Sequence, residues 1–285
     1  MTDTEKNNTT SFLSSNFKPD LSDEAFRRLA THIQQTYGIN LWQKRQLVTS
    51  RLAAPLRAKG YSNFNEFIDH LLRTNDQGEV TLLLDKLTTN YTFFMREQEH
   101  LEFFRKNIIP DLLERHKSDK TLSIWSAGCS TGEEPYNLTM YFMDALGSSA
   151  SSWDTRILAT DISNRALTAA KEGVYELPAT VPNEWKRRYF THEGGDTYRV
   201  QPFVRDNVIF QKFNLMDPIQ FKRKFDLIFC RNVMIYFDQP TKDSLVERFF
   251  AATNPGGYFL ISYSENLSPG TPYRRIAPAT FQKPR

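Results

Sequence analysis

The sequence predicts an α/β domain built on a mostly parallel sheet, preceded by a small all-helical unit. Three observations carry that prediction. From residue 121 onward, short apolar runs alternate with amphipathic helical patterns, as parallel strands joined by helical crossovers require. Before residue 90 the apolar positions recur at spacings of three and four. The chain has 285 residues, 40% of them hydrophobic, which is enough for a sizeable core and fits one large or two smaller domains.

Residues 1–19 are rich in Thr, Asn and Ser and are expected to form a mobile arm. Ser22 is placed to cap a helix with Phe26, Leu29, Ile33 and Tyr37 on its apolar face, and Gly38 fits its end. A second helix is expected over 43–59, with Leu47, Leu52 and Leu56 inward, a kink at Pro55 and Gly60 as its cap. Amphipathic stretches at 63–73 and 79–87 complete a helical unit over 20–90. A linker with a helix at 98–117, carrying Leu101, Phe104, Ile108 and Leu112, covers 91–120. The α/β domain is expected over 121–285, with strands at 122–127, 157–159, 208–213, 225–230 and 258–262 and helices at 133–146, 163–172 and 241–253. One segment, about 178–206, breaks the rhythm. There 191–195 is turn-forming and 196–204 reads as short strands, so the segment is either a β-hairpin excursion or a long irregular loop.

Charge and cysteine usage narrow the function. The net charge is +3, from 36 Lys+Arg against 33 Asp+Glu, which argues against a uniformly basic nucleic-acid coat. The total hides a cluster: no acid occurs between Glu24 and Glu66, an interval that holds Arg27, Arg28, Lys44, Arg45, Arg51, Arg57 and Lys59. Such a face suits an acidic partner, although a merely solvated helix face has the same composition. Two cysteines, Cys129 and Cys230, imply neither a disulfide framework nor a zinc site, and fit ordinary buried thiols in a reducing cytoplasm. No signal peptide or membrane span is expected, because 1–10 is polar and no run of about 20 apolar residues exists.

Four motifs carry the chemistry. Gly128 and Gly132, in Ser126-Ala-Gly-Cys-Ser-Thr-Gly-Glu-Glu-Pro-Tyr136, follow a predicted strand and open a predicted helix. They match neither the dinucleotide fingerprint nor the Walker lysine pattern. Glu133 and Glu134 at that loop would repel a pyrophosphate and suit a cationic ligand; alternatively they simply favour a helix N-terminus. Asp161, ending the second strand, is placed to hold ribose hydroxyls or to cap the next helix, where Ser163 also serves. Asn232 and Tyr236 follow the strand that ends at Cys230, and sit at the carboxyl end of the sheet. Arg96, at the junction before the α/β domain, either clamps a carboxylate or pairs at the surface with Glu97 or Glu99. The five histidines are scattered, and no Ser/His/Asp or Cys/His arrangement is visible.

Together, Thr89-Asn90-Tyr-Thr92-Phe-Phe-Met-Arg96-Glu, Ser130-Thr-Gly-Glu-Glu-Pro-Tyr136, Ala159-Thr-Asp161-Ile and Cys230-Arg-Asn-Val-Met-Ile-Tyr-Phe237 resemble the CheR family of chemotaxis methyltransferases, in order and spacing, over roughly 20–283. The resemblance implies a Rossmann-like class I S-adenosylmethionine (SAM)-dependent methyltransferase fold with an N-terminal helical domain and a small antiparallel β-subdomain insertion. It implies methylation of glutamates on chemoreceptors, with S-adenosylhomocysteine as product, no metal, and a cytoplasmic monomer that binds no nucleic acid and does not enter the membrane. Asn90, Thr92 and Arg96 would contact SAM, Glu133 its ammonium and Asp161 its ribose. Asn214 and Leu215 would lie by the adenine, and Arg231 and Asn232 by the methionine part. Arg96 and Tyr236 would stand at the transfer site, with Arg51 and Arg57 on the receptor. Gly194-Gly195 matches a subdomain that in some members docks a receptor's C-terminal peptide. Ala54 stands where some relatives carry arginine, which weakens the expected receptor contact. Rival readings are another SAM enzyme, a binding module without catalysis, and NAD chemistry. The place where base methyltransferases carry paired prolines reads Arg231-Asn-Val-Met-Ile-Tyr236 here.

Overall fold

Apolar periodicity builds four helices in the N-terminal third: α1 (Asp23–Tyr37), α2 (Arg45–Ala58), α3 (Phe64–Thr74) and α4 (Gln77–Leu87). The computed structural model describes residues 17–88 and 91–285, so most of the expected arm at 1–19 lies outside the described residues. Two units emerge, one of 1–32 with 41–87 and one of 33–40 with 88–285. In the first, Ser22 Oγ accepts from the Ala25 amide at 3.2 Å and starts α1 as its sequence predicts. Asn63 caps α3 by accepting from the Glu66 amide at 2.9 Å. The buried stripe of α2 is Val48, Leu52 and Leu56, not Leu47, which is half-buried. Positions four apart share a helix face, and Leu47 falls about 100° off it. Pro55 does not interrupt α2, which continues to Ala58.

The interval without acids is not free of ion pairs. Asp23 pairs with Arg45, and Asp69 with Arg28 at 2.6 Å, both acids coming from outside it. Arg51 instead bonds the Lys86 carbonyl at 3.1 Å, and Arg57 lies over the Phe17 ring at 5.9 Å.

The second unit opens with a helical run that is not uniform. α5 (Gln98–Phe103) passes through a π-turn, Phe104–Ile108, into α6 (Ile109–Arg115). Pro110 lacks the amide that an α-helix needs there, and the widened turn absorbs that break. Next come β1 (Ile124–Ala127), α7 (Glu133–Leu146), β2 (Ile157–Asp161), α8 (Asn164–Glu172), β3 (Val174–Glu176), α9 (Asn183–Tyr189), β4 (Phe190–Gly194), β5 (Thr197–Val200) and α10 (Pro202–Arg205). β6 (Val208–Lys212), β7 (Phe225–Phe229), α11 (Gln239–Ala252), β8 (Thr253–Leu260), β9 (Arg274–Ala277) and β10 (Thr280–Gln282) complete the chain.

The main sheet has seven strands in the order β6-β2-β1-β7-β8-β10-β9. The first five run parallel, and β10 and β9 are antiparallel. Chain order reverses between β1 and β7, so the switch point lies at their carboxyl ends. Both strands are buried throughout, and Trp125 of β1 donates to Thr160 Oγ1 at 2.9 Å. The β9–β10 hairpin has no counterpart in the sequence reading, because Arg274-Arg275 gives it no alternating apolar face. β8 begins five residues earlier than expected, at Thr253, and passes through Asn254-Pro-Gly-Gly257 by a register shift against β7.

The excursion is a three-stranded antiparallel sheet, β3-β5-β4, with helices of its own. Residues expected as turn, 191–194, lie in β4, while the turn narrows to Gly195-Asp196 and 202–205 is helical. Asp144 of α7 anchors α9. It accepts from Trp185 Nε1 at 2.8 Å, pairs with Arg188 at 2.9 Å and accepts from the Tyr189 hydroxyl.

Candidate active site

A cleft opens at the switch point, with about 1060 Å³ of empty space including its mouth. All its lining residues belong to the second unit. Gly128 (φ +83°) makes the turn after β1, where a Cβ would stand 2.3 Å from Val233 of the loop after β7. Glycine is therefore required by both conformation and space.

The expected residues meet there in large part. Thr92, Arg96, Asp161, Asn214, Leu215, Arg231, Asn232 and Tyr236 all line the cleft. Asn90 lies outside the described residues. Glu133 does not line it: its carboxylate is buried and accepts from Thr131 Oγ1 at 2.7 Å. Glu134 does line it, one residue on, and burial pushes both carboxyls up. Arg51 and Arg57 belong to the helical unit.

At one end of the cleft, Asp161 closes β2 and receives the Ser130 amide at 2.8 Å and the Ser163 amide at 2.9 Å, one on each oxygen. Ile162, Phe213 and Leu215 give apolar surface beside it. Asn214 is held by donating to the Thr36 carbonyl at 2.7 Å and accepting from the Met216 amide at 3.1 Å.

The other end is charged. Arg231, with its side chain 3% exposed, lies 3.1 Å from Glu97 and 3.3 Å from Glu134, and donates to the Arg96 carbonyl at 2.6 Å. Ser126 donates to the second oxygen of Glu134 at 2.8 Å. Burial alone would raise the Glu97 carboxyl, but the groups around it (His100, Ser262 and the Arg231 charge) outweigh that and hold it at about 2. Burial lowers His100, whose Nε2 lies 3.0 Å from Thr280 Oγ1. Asn232 (φ +60°) donates to Ser262 Oγ at 2.7 Å, and its amide bonds Glu265 at 3.1 Å. Arg96 donates to the Tyr91 carbonyl at 2.7 Å and lies over the Phe93 ring at 5.9 Å. Among the described residues no carboxylate stands within ion-pair distance of it, so the surface pair with Glu97 or Glu99 does not form; Glu97 belongs to Arg231.

Sequence reasoning missed Tyr37, Ile39, Phe213 and Asn137 as lining residues, and named Glu134 only as one of a pair suited to a cation. Tyr37 and Ile39 give no cleft signal, since Tyr37 completes a helix pattern and Ile39 stands alone just past the helix end. Glu134 had a signal, the Glu-Glu pair, from which the neighbour was assigned. Cys129 also lines the cleft, with its thiol pushed well up by burial.

A family model described as the CheR methyltransferase SAM-binding domain matches residues 90–281, and one described as the CheR methyltransferase all-alpha domain matches residues 24–88. The chain belongs to the CheR methyltransferase family. A chemotaxis protein methyltransferase of Borreliella burgdorferi is 37% identical over 274 residues, covering 94% of this chain and 97% of its own. Chemotaxis protein methyltransferase 2 of Pseudomonas aeruginosa is 38% identical over 253 residues, 86% of this chain and 87% of its own. The Escherichia coli chemotaxis protein methyltransferase is 36% identical over 257 residues, 87% of this chain and 86% of its own.

The donor set fits the ligand of a CheR SAM-binding domain. An acid ends β2, apolar groups flank it, and the end of the glycine loop offers the Glu134 carboxylate where a phosphate binder would offer lysine. Among the described residues no group of three or more His, Cys, Asp or Glu is placed to hold a metal ion, and no helix is long and apolar enough to cross a membrane. A separate recess on the three-stranded sheet is lined by Asn183, Lys186, Arg187, Phe190, His192 and Tyr198. His192 Nε2 bonds the Gly195 carbonyl there at 2.7 Å.

Proposed function

We propose that the protein methylates glutamate side chains of chemoreceptors in the cytoplasm, forming glutamyl methyl esters and S-adenosylhomocysteine. The observation that carries this reading is Arg96: a half-buried guanidinium in the cleft wall that pairs with no carboxylate among the described residues, in a site whose other cation, Arg231, is already paired twice. Such a group suits a carboxylate brought by the substrate.

Bound in the cleft, SAM supplies an electrophilic methyl on its sulfonium. Asp161 holds the ribose hydroxyls, and Asn214 and Leu215 flank the adenine. Glu134 takes the ammonium in place of the expected Glu133, because it is the glutamate that lines the cleft. Thr92, Arg231 and Asn232 face the methionine part, with Asn90 completing that set by resemblance. A glutamate has an ordinary pKa near 4.3, so the nucleophile is already ionised at neutral pH and no general base is needed. Arg96 and Tyr236 orient it and keep water out. Arg96 acts best through one carboxylate oxygen; pairing with both would stabilise the ground state and slow transfer. Arg51 and Arg57, which pair with no carboxylate among the described residues, steer a glutamate-rich receptor helix. The recess around Lys186 and Arg187 is proposed as the dock for a receptor's C-terminal peptide, whose carboxylate those cations suit.

Tritiated SAM incubated with receptor-bearing membranes tests the proposal. Base-labile label on the receptor, released as methanol, is expected. SAM binding without transfer would assign the chain to a binding module instead.

A further inference from the structure

The turn that carries Arg96 is under backbone strain. Met95 has φ +65° and Glu97 φ +56°, so two non-glycine residues on either side of Arg96 are left-handed. In that region the Cβ crowds the following carbonyl, and such conformations persist only where the surroundings over-determine them. Here they do. The Met95 amide donates to Asn137 Oδ1 of α7 at 2.7 Å, in the interior. The Arg96 carbonyl accepts from Arg231 Nη2 at 2.6 Å. Glu97 then closes the clamp. Its Oε2 lies 3.1 Å from Arg231 Nη2, and its Oε1 accepts from Ser262 Oγ at 2.6 Å. Glu97 itself is not part of the cleft wall, so whatever it does for the reaction passes through its neighbours.

We infer that Glu97 is a positioning residue for methyl transfer: by anchoring Arg231 and Ser262 it locks the left-handed turn that sets Arg96 in the cleft wall. This rests on the reading of Arg96 as the residue that orients the substrate carboxylate. A simpler role for Glu97, neutralising a buried Arg231, would leave stability dependent on it but not the work of Arg96.

The decisive variant is Glu97→Gly. Glycine adopts φ +56° without a Cβ conflict, so backbone strain is relieved while the carboxylate anchor is lost. Three readouts are taken on the full chain: kcat with receptor membranes, the Kd of S-adenosylhomocysteine by calorimetry, and amide hydrogen exchange over 93–97 without ligand. The inference expects kcat to fall about tenfold or more, exchange over 93–97 to quicken, and Kd to change less than kcat. In an Arg96→Ala background the Glu97→Gly change should lower kcat no further, because both act at one step. Glu97→Gln, which keeps hydrogen bonds to Ser262 and Arg231 but not the charge, should restore part of the loss. If Glu97→Gly melts early, the same cycle with Glu97→Gln decides. Wild-type kcat in both Glu97 variants, or a full additive loss on top of Arg96→Ala, would overturn the inference. Wild-type kcat in Arg96→Ala alone would instead remove the reading of Arg96 on which it rests.

Discussion

The two ends of the cleft are built by opposite means. The Asp161 end follows from strand geometry: the acid is the last residue of β2, and two nearby backbone amides fix its carboxylate. The Arg96 end is assembled from distant segments, with Glu97, Glu134, Arg231 and Ser262 joined by ion pairs and hydrogen bonds around a left-handed turn. The difference teaches where each end draws its rigidity. One inherits it from the sheet; the other depends on charges that must all be present together.

Removing the reacting end should give the largest effect. Arg96→Ala is expected to lower transfer on the order of a thousandfold, roughly 4 kcal/mol of barrier, with the fold intact by circular dichroism. An active variant would sink the assigned role. At the nucleoside end, Asp161→Ala should weaken SAM binding by on the order of a hundredfold in calorimetry, from the loss of charge-assisted bonds to two hydroxyls. Unchanged affinity would make Asp161 only a strut for the glycine loop. Glu134→Gln should weaken SAM binding by about tenfold, whereas Glu133→Gln should change it little, since only Glu134 lines the cleft. The reverse ranking would restore Glu133 as the ammonium ligand.

A smaller effect separates the ends by pH. Glu97 is held at about 2 against an ordinary value of 4.5, with its side chain 16% exposed. A depressed carboxyl contributes stability that is fully present above its ordinary value and is lost as pH falls through the folded value. The clamp should therefore contribute on the order of 3 kcal/mol at neutral pH, disappearing between about pH 4.5 and 2. Glu97→Gln should flatten the wild type's fall in melting temperature over that window. An unchanged slope would show that Glu97 is not held so low.

These contrasts also mark what the sequence made legible. The strand and helix alternation, the glycine loop and Asp161 are local patterns, and each stands where its periodicity or strand end puts it. Leu47 differs because it and Val48 are adjacent apolar residues, which leaves the phase of the stripe ambiguous by one position, and burial selects Val48. The choice between Glu133 and Glu134 rested on a pair of identical residues, which only the rotation of α7 distinguishes. The ion pairs of Arg231 span 134 and 97 positions, and nothing local announces them. The neutralising acids for Arg28 and Arg45 were hidden in the same way, outside the basic interval.

The central claim is that the methyl group lands on a receptor glutamate carboxylate. Mass spectrometry of receptor peptides after incubation with the protein and SAM tests it most directly. The account predicts one added methyl mass on a glutamate side chain, absent with Arg96→Ala and removed by mild base. A base-stable methyl on a nitrogen, or an unmodified receptor beside a protein that binds SAM normally, would contradict it.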